Sequence, residues 1–226
     1  MTTTVGNANR PVRSSPLEAV HARLMARWRA DGARWPLDYG NPSAEAAAAQ
    51  SAAGLIDRGP LDKLIVQGPG AAGALRGASL GFHPGRISYA LINGPKLQVW
   101  GVAPDEAIIL SAPGVKVPDL TGPQGVAVVN LSSSFSVLML IGPDARGILA
   151  ELCPADLGPV AVPDLQIVHT PVANVRVTLA RQDMGAVPAF TVLAPRDYAS
   201  YLWESVMHAG APFGLVPVGN HLAGEA

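Results

Sequence analysis

The chain has 226 residues, of which 49% are hydrophobic and only 15% charged, with a formal net charge of -1. That length holds one sizeable domain or two small ones, and the apolar fraction is ample for a substantial core. The near-neutral balance excludes a nucleic-acid or anionic-membrane footprint, and so low a charge fraction points to a large contact with other protein.

The opening, MTTTVGNANRPVRSS, is polar and lacks the apolar core of a signal peptide. Residues 1–14 read as a flexible N-terminal arm. Ser15-Pro16-Leu17-Glu18 then carries a helix start, with Ser15 as cap, Pro16 at the first helical position and Glu18 completing a capping box. Leu17, Val20, Leu24 and Trp28 follow at helical spacing. A second helix over 44–53 is almost pure alanine and must pack closely against a neighbour. Residues 63–67 read as a strand. After a loop containing His83, strands at 87–92 and 97–102 flank Asn93-Gly94, a hairpin signal, and a further strand covers 107–111. The Pro/Gly-rich stretch 112–125 reads as a linker. Beyond it come a strand at 136–141, a helix at 145–152, strands near 166–170, 174–179 and 189–193, and a helix over 198–207 striped by Tyr198, Leu202 and Val206.

The two halves share a unit. LDKLIVQGPGAAGALRGA from Leu61 aligns with FSVLMLIGPDARGILAEL from Phe135 at a constant offset of 74, and FTVLAPRDYASYLWESV is a third version with Ala194-Pro195 at its junction. Each is a strand, a tight turn, a proline at the helix start and an amphipathic helix. The repeat explains a literal G-x-G-x-x-G at Gly68, Gly70 and Gly73. The second copy has Asp144 in place of the middle glycine, and residues 88–93 lack the acid that a dinucleotide site needs. These glycines are structural.

Other motifs are weak. Gly77-Ala78-Ser79-Leu80-Gly81 spells G-x-S-x-G, but it follows a helix instead of a strand, so a helix-terminating glycine explains it better than a nucleophile elbow. His21, His83, His169, His208 and His221 are scattered singly, without metal-ligand spacing. His21 reads as a partly buried helix residue. Cys153 rules out an internal disulfide and has no neighbouring positive charge to activate it. Trp28, Trp35, Trp100 and Trp203 read as core. No apolar run is long enough to span a membrane, so the expectation is a cytoplasmic α+β protein, internally duplicated, with neither a catalytic constellation nor a metal site.

Several blocks in order resemble the tetrahydrofolate-dependent aminomethyltransferase of glycine cleavage, the T-protein. SPLEAVHARLMARW is similar to its TPL..H..LGA opening; WPLDYGNP and GLIDRGPLDKLIVQGP to its MPVQY and GLFDVSHMGK…V.GP stretches; VVNLSSSFSVLMLIGPDARGILAEL to DVSD…LALQGP.A..IL; and FTVLAPRDYASYLWESVMHAGAPFGLVPVG to FEIYVP…LW..LL..G…GL.P.G. The likeness covers roughly residues 15–220. Leu152-Cys153-Pro154-Ala155-Asp156-Leu157 and Tyr201-Leu202-Trp203 further resemble the gamma subunit of heteromeric sarcosine oxidase.

The resemblance implies two related α+β lobes, 15–120 and 121–226, each a mixed or antiparallel sheet with helices, without the T-protein's C-terminal β-barrel domain. It implies a subunit of a multi-subunit oxidative N-demethylase that couples methylated-amine demethylation to tetrahydrofolate, itself structural or weakly catalytic, with hetero-oligomeric oxidoreductase subunits as partners. The alternative is a stand-alone tetrahydrofolate-binding one-carbon transferase, whose folate pocket Leu61, Tyr89, Asn93, Arg181 and Asp183 would line. Tetrahydrofolate is the implied cofactor, held here or by a partner chain. Departures from the family pattern favour the first reading. The residues after Asn93, Gly94-Pro95-Lys96-Leu97-Gln98-Val99, lack the family's key aspartate, and Arg181-Gln182-Asp183-Met184-Gly185-Ala186-Val187 keeps the arginine of RTGYTGE but not its glutamate. Leu61 and Asp62 replace the methionine and glycine of SHMG, and the arginine of GLGARD has no counterpart after Gly219-Asn220-His221. A third, folate-binding maturation factor of iron–sulfur proteins would need a K-G-C-x-x-G-Q-E motif, which is absent around Cys153.

Overall fold

The computed structural model describes residues 14–28, 35–91, 96–121 and 124–222, with the backbone alone at 89–91 and 96. The fold is mixed α and β, built on two sheets. The chain enters through α1 (Glu18–Arg23), a two-stranded ribbon of β1 (Arg27–Trp28) and β2 (Pro36–Asp38), and α2 (Pro42–Ser51). Then come β3 (Gly54–Asp57), β4 (Asp62–Gln67), α3 (Ala71–Gly77), β5 (Ile87–Leu91), β6 (Lys96–Ala103) and β7 (Glu106–Ser111). The second half supplies β8 (Ala127–Asn130), β9 (Phe135–Ile141), α4 (Ala145–Ala150), β10 (Ile167–Val172), β11 (Val175–Arg181), β12 (Ala189–Pro195), α5 (Ala199–Gly210) and β13 (Val216–Val218).

One sheet runs β5-β6-β7-β4-β8, the other β10-β11-β12-β9-β3-β13. The duplicated sequence thus yields duplicated topology, down to the register. In the first sheet Tyr89 pairs with Gln98, Gln98 with Leu110, and Leu110 with Lys63. In the second, His169 pairs with Thr178, Thr178 with Leu193, and Leu193 with Val137. Along this row the pairing registers of the two sheets correspond, β13 being an extra strand of the second.

The strand that leads into each copy crosses to the other sheet. β3, which precedes β4 in sequence, pairs with β9, while β8, which precedes β9, pairs with β4. Two strands therefore cross the boundary expected at residue 120. The turn after each is built alike: Asp57 Oδ1 accepts from the Gly59 N–H at 2.7 Å, and Asn130 Oδ1 from the Ser132 N–H at 2.9 Å. The next amides reciprocate, Arg58 N–H donating to the Val137 carbonyl and Leu131 N–H to that of Lys63, both at 2.8 Å.

This exchange is what requires a glycine at each Gly-Pro junction. Gly68 has φ +114, and a Cβ there would lie 2.2 Å from the carbonyl oxygen of Gly125, just ahead of β8. Gly142 has φ +134, and its Cβ would lie 2.3 Å from the oxygen of Ala52, just ahead of β3. Gly73, by contrast, has nothing within 4 Å. The prolines sit just ahead of the helix caps Gly70 and Asp144, two residues before the first helical position.

Four apolar clusters result, one of them packing Ala49 of α2 against Ile56, Met139 and Val218. Leu138, Leu140, Ile148, Leu149, Leu202 and Trp203 fill the space between the six-stranded sheet and its helices. Val66, Leu75, Leu97, Val99 and Ile109 do the same beneath α3. Between the sheets, Ile87, Trp100, Ile108 and Leu110 meet Val137, Ile167, Ala180 and Leu193. Each large buried side chain here contributes about 1.5–3 kcal/mol of transfer free energy.

Some expectations change. α1 stops at Arg23 because Met25 takes φ 55 and the Ala26 N–H turns back to the His21 carbonyl; Trp28 consequently belongs to β1 and not to a helix face. Ser15 stands two residues before the helix cap, Leu17, and its hydroxyl serves a carboxylate described below. α2 begins at Pro42 because Asn41 Oδ1 accepts from the Ala44 N–H at 3.1 Å. α3 runs to Gly77, but the left-handed residue beyond it is Ser79 itself, φ 60, so neither Gly77 nor Gly81 is a left-handed helix terminator. The Asn93-Gly94 turn and residues 1–13 of the expected arm lie outside the described residues.

Candidate functional site

Of the five residues expected to line a folate pocket, the structure joins two. Arg181, at the end of β11, grips Asp183 with a bidentate pair: Nε donates to Oδ1 at 2.9 Å and Nη2 to Oδ2 at 2.7 Å. Its Nη1 donates to the Val162 carbonyl at 3.0 Å, and Asp183 Oδ1 also accepts from the Ala189 N–H at 3.4 Å. The hydrogen bond to Asp183 holds the Arg181 guanidinium above its ordinary pKa. Leu61 is buried in the turn between β3 and β4, where its carbonyl accepts from Lys63 Nζ at 2.8 Å. Tyr89 occupies the β5 position opposite Gln98, and Asn93 lies outside the described residues.

A pterin is recognised through its amino-pyrimidine edge, which needs an open carboxylate in a buried setting. Among the described residues Asp183 is the expected candidate, and its charge is already answered by Arg181. As arranged, the Arg181–Asp183 pair does not present an open carboxylate to a pterin.

A second group of polar residues sits at the opposite end of β3. The Asp57 carboxylate, fully buried, accepts from the Ser15 hydroxyl, from His21 Nε2 at 2.9 Å and from the Gly59 N–H. A carboxylate only accepts, so Nε2 carries the imidazole hydrogen and Nδ1 takes one from the Tyr39 hydroxyl at 2.8 Å. Burial, aided by the charges of Asp57 and Glu45, drives the Tyr39 phenol upward, keeping it a donor. His21 is wholly enclosed, with Trp28, Tyr39 and Trp203 presenting rings edge-on at 5.0–6.2 Å. Ser15 bonds to the carboxylate and not to the imidazole, so this trio is no nucleophile relay. It is a buried tie joining α1, β2 and β3.

Around the tie, Glu45 on α2 accepts from the Tyr39 N–H at 2.6 Å and the Gly219 N–H at 2.9 Å. Asn220 Nδ2 donates to the carbonyls of Asp57 at 2.9 Å and Pro36 at 3.4 Å. Arg58 lies over the Trp35 ring at 5.7 Å, and burial pulls its pKa down to about 10 against the opposing pull of Asp57. Arg27 donates to Asp38 at 2.6 Å and holds that carboxyl below its ordinary range. No group of three or more His, Cys, Asp or Glu side chains among the described residues can hold a metal ion. None of their helices is long and apolar enough to cross a membrane.

The sequence hid this cluster because its members are far apart, at 15, 21, 39 and 57. The available signal was that Ser15, Tyr39 and Asp57 stand opposite the Thr, Tyr and Asp of the TPL, MPVQY and GLFDV stretches that the sequence resembles.

A family model described as the GCVT N-terminal domain matches residues 17–223, nearly the whole chain. The chain belongs to this family. Among curated relatives, the aminomethyltransferase of Streptomyces avermitilis is 30% identical over 235 residues, covering 94% of this chain and 61% of that protein. The Mycobacterium avium aminomethyltransferase is 29% identical over 222 residues, covering 90% and 59%. The chain thus spans about three-fifths of the length of these relatives. Among solved structures, the glycine cleavage system aminomethyltransferase T of Bartonella henselae superposes with a TM-score of 0.74 at 23% identity, covering 92% of this chain and 60% of that one. A chain of heterotetrameric sarcosine oxidase from Corynebacterium sp. U-96 superposes with a TM-score of 0.65 at 22% identity, covering 90% of this chain and 97% of that one. The fold is that of the T-protein.

Proposed function

We propose that this GCVT-family chain is a subunit of a multi-subunit oxidative N-demethylase of the sarcosine oxidase type, in which it is structural or weakly catalytic. The observation that carries this reading is the closed Arg181–Asp183 pair, which withholds the carboxylate that a folate-binding subunit would present. A chain of heterotetrameric sarcosine oxidase shares the fold, with a TM-score of 0.65.

In such an assembly a redox cofactor held by a partner takes a hydride from the N–CH3 group of a methylated amine, and water adds to the resulting imine, releasing the amine and formaldehyde. Tetrahydrofolate, when bound, takes up that carbon. This chain contributes a rigid wall of two matched sheets, and the 15–120 and 121–226 halves serve as its two lobes. Its setting is cytoplasmic, with oxidoreductase subunits as partners.

Titrating tetrahydrofolate into the isolated chain, followed by tryptophan fluorescence and calorimetry, tests the reading. No binding at millimolar ligand is expected. Micromolar binding that is lost on Asp183→Ala would overturn it and make the chain a one-carbon transferase in its own right.

A further inference from the structure

On the face of the six-stranded sheet that meets the other sheet, a cleft of about 440 Å³ opens beyond the apolar contact layer. Phe135, Leu193, Pro171 and Pro195 supply apolar walls, and His169, Thr178 and Arg176 line the same space. His169 Nε2 faces the Val102 carbonyl at 3.0 Å, which can only accept, so that nitrogen carries the hydrogen. Nδ1 then receives the Thr178 hydroxyl hydrogen at 3.3 Å. Both polar side chains have therefore committed their hydrogens elsewhere. Arg176 has not: among the described residues its guanidinium has no ion-pair or hydrogen-bond partner. A fixed cation with five donors, set beside apolar walls, is the complement of a carboxylate on an apolar body.

The duplication says where this cleft stands in the fold. The matched registers set Phe135 against Leu61, His169 against Tyr89, Thr178 against Gln98 and Leu193 against Leu110. The hairpin ends match as well, the Pro171–Arg176 pair falling on Leu91–Lys96, so the cation position is shared. The cleft is thus the second copy's version of the place where Leu61 and Tyr89 stand in the first.

From these positions we infer that the 135/169/176/193 cleft is a second ligand site, specific for a small carboxylate with an aromatic or aliphatic body, with Arg176 as its anion-binding residue. The guanidinium takes the carboxylate, and Phe135, Leu193 and the two prolines take the apolar body.

The test is an NMR titration of the isotope-labelled full chain with benzoate, and separately with benzylamine, its cationic analogue of similar shape. Benzoate is expected to shift the amides of residues 169, 170, 172–178, 193 and 194 saturably, and benzylamine to leave them in place. Arg176→Gln, at an exposed position, should weaken benzoate about tenfold while the rest of the spectrum stays unchanged. Arg146→Gln on α4 should leave the titration as it was. Absence of saturable shifts with benzoate, equal shifts with benzylamine, or equal weakening by the two variants would overturn the assignment.

Discussion

The two copies of the strand-turn-helix unit share a backbone plan but not a polar content. In the first, the turn entering the unit holds Asp57, buried and tied to Ser15 and His21, and the unit's strand begins with a buried Lys63 whose ammonium donates to the carbonyls of Gly59 at 2.5 Å and Leu61 at 2.8 Å. In the second, the same turn holds an exposed Asn130, and the residue equivalent to the lysine is Val137, sealed in the inter-sheet layer. Buried polar groups are therefore concentrated on one side of the duplication. That side is also the one which the N-terminal helix and the 219–221 segment close over. A duplicated backbone sets where rows of side chains face each other, and each copy then decides whether a row is wet, charged or dry.

Substitutions at matched positions should separate the copies sharply. Asp57→Ala should cost about 3–5 kcal/mol, because it strands the buried imidazole and hydroxyl, whereas Asn130→Ala should cost about 0.5–1 kcal/mol for one exposed turn bond. Urea unfolding of the two variants reads the difference, and equal losses would break the asymmetry. At the Gly-Pro turns the copies should agree: Gly68→Ala and Gly142→Ala should each cost about 2–4 kcal/mol through left-handed strain and backbone collision. If only one were costly, the strand exchange would press on one turn alone.

A smaller effect is confined to the Asp57 side. Arg27 lowers the Asp38 carboxyl below its ordinary value of 3.8, so the folded state holds that proton more weakly than the unfolded chain does. The stabilisation is then complete above about pH 5 and fades as pH falls through 3.8 and lower. Denaturation midpoints of the parent and Arg27→Ala should differ at neutral pH and converge by pH 3. Smallest of all, Gly73→Ala in the open middle of α3 should stabilise by about 0.5–1 kcal/mol.

Much of the scaffold was legible in the chain. The offset of 74 between Leu61 and Phe135 declared the duplication, and the β-branched runs of β4 and β9 declared the central strands. β3, β8 and β13 were not legible. GLID, AVVN and VPV are three or four residues long and carry no alternation, so their strand character comes wholly from the partners that receive them. The site was harder still. The bidentate closure of Arg181 on Asp183 is a local geometry that the RQD sequence permits but does not dictate. His21 looked like an ordinary helix residue because the carboxylate that fixes it lies 36 positions away.

The crossing of β3 and β8 between sheets acts as a mutual clasp. A cut in the 112–125 linker would leave two fragments, each holding a strand that the other's sheet is missing. Neither piece could satisfy its own central strand, so the pair should fold only on meeting. A chain that arose by doubling has in this way made its halves inseparable, and loses both when it loses one.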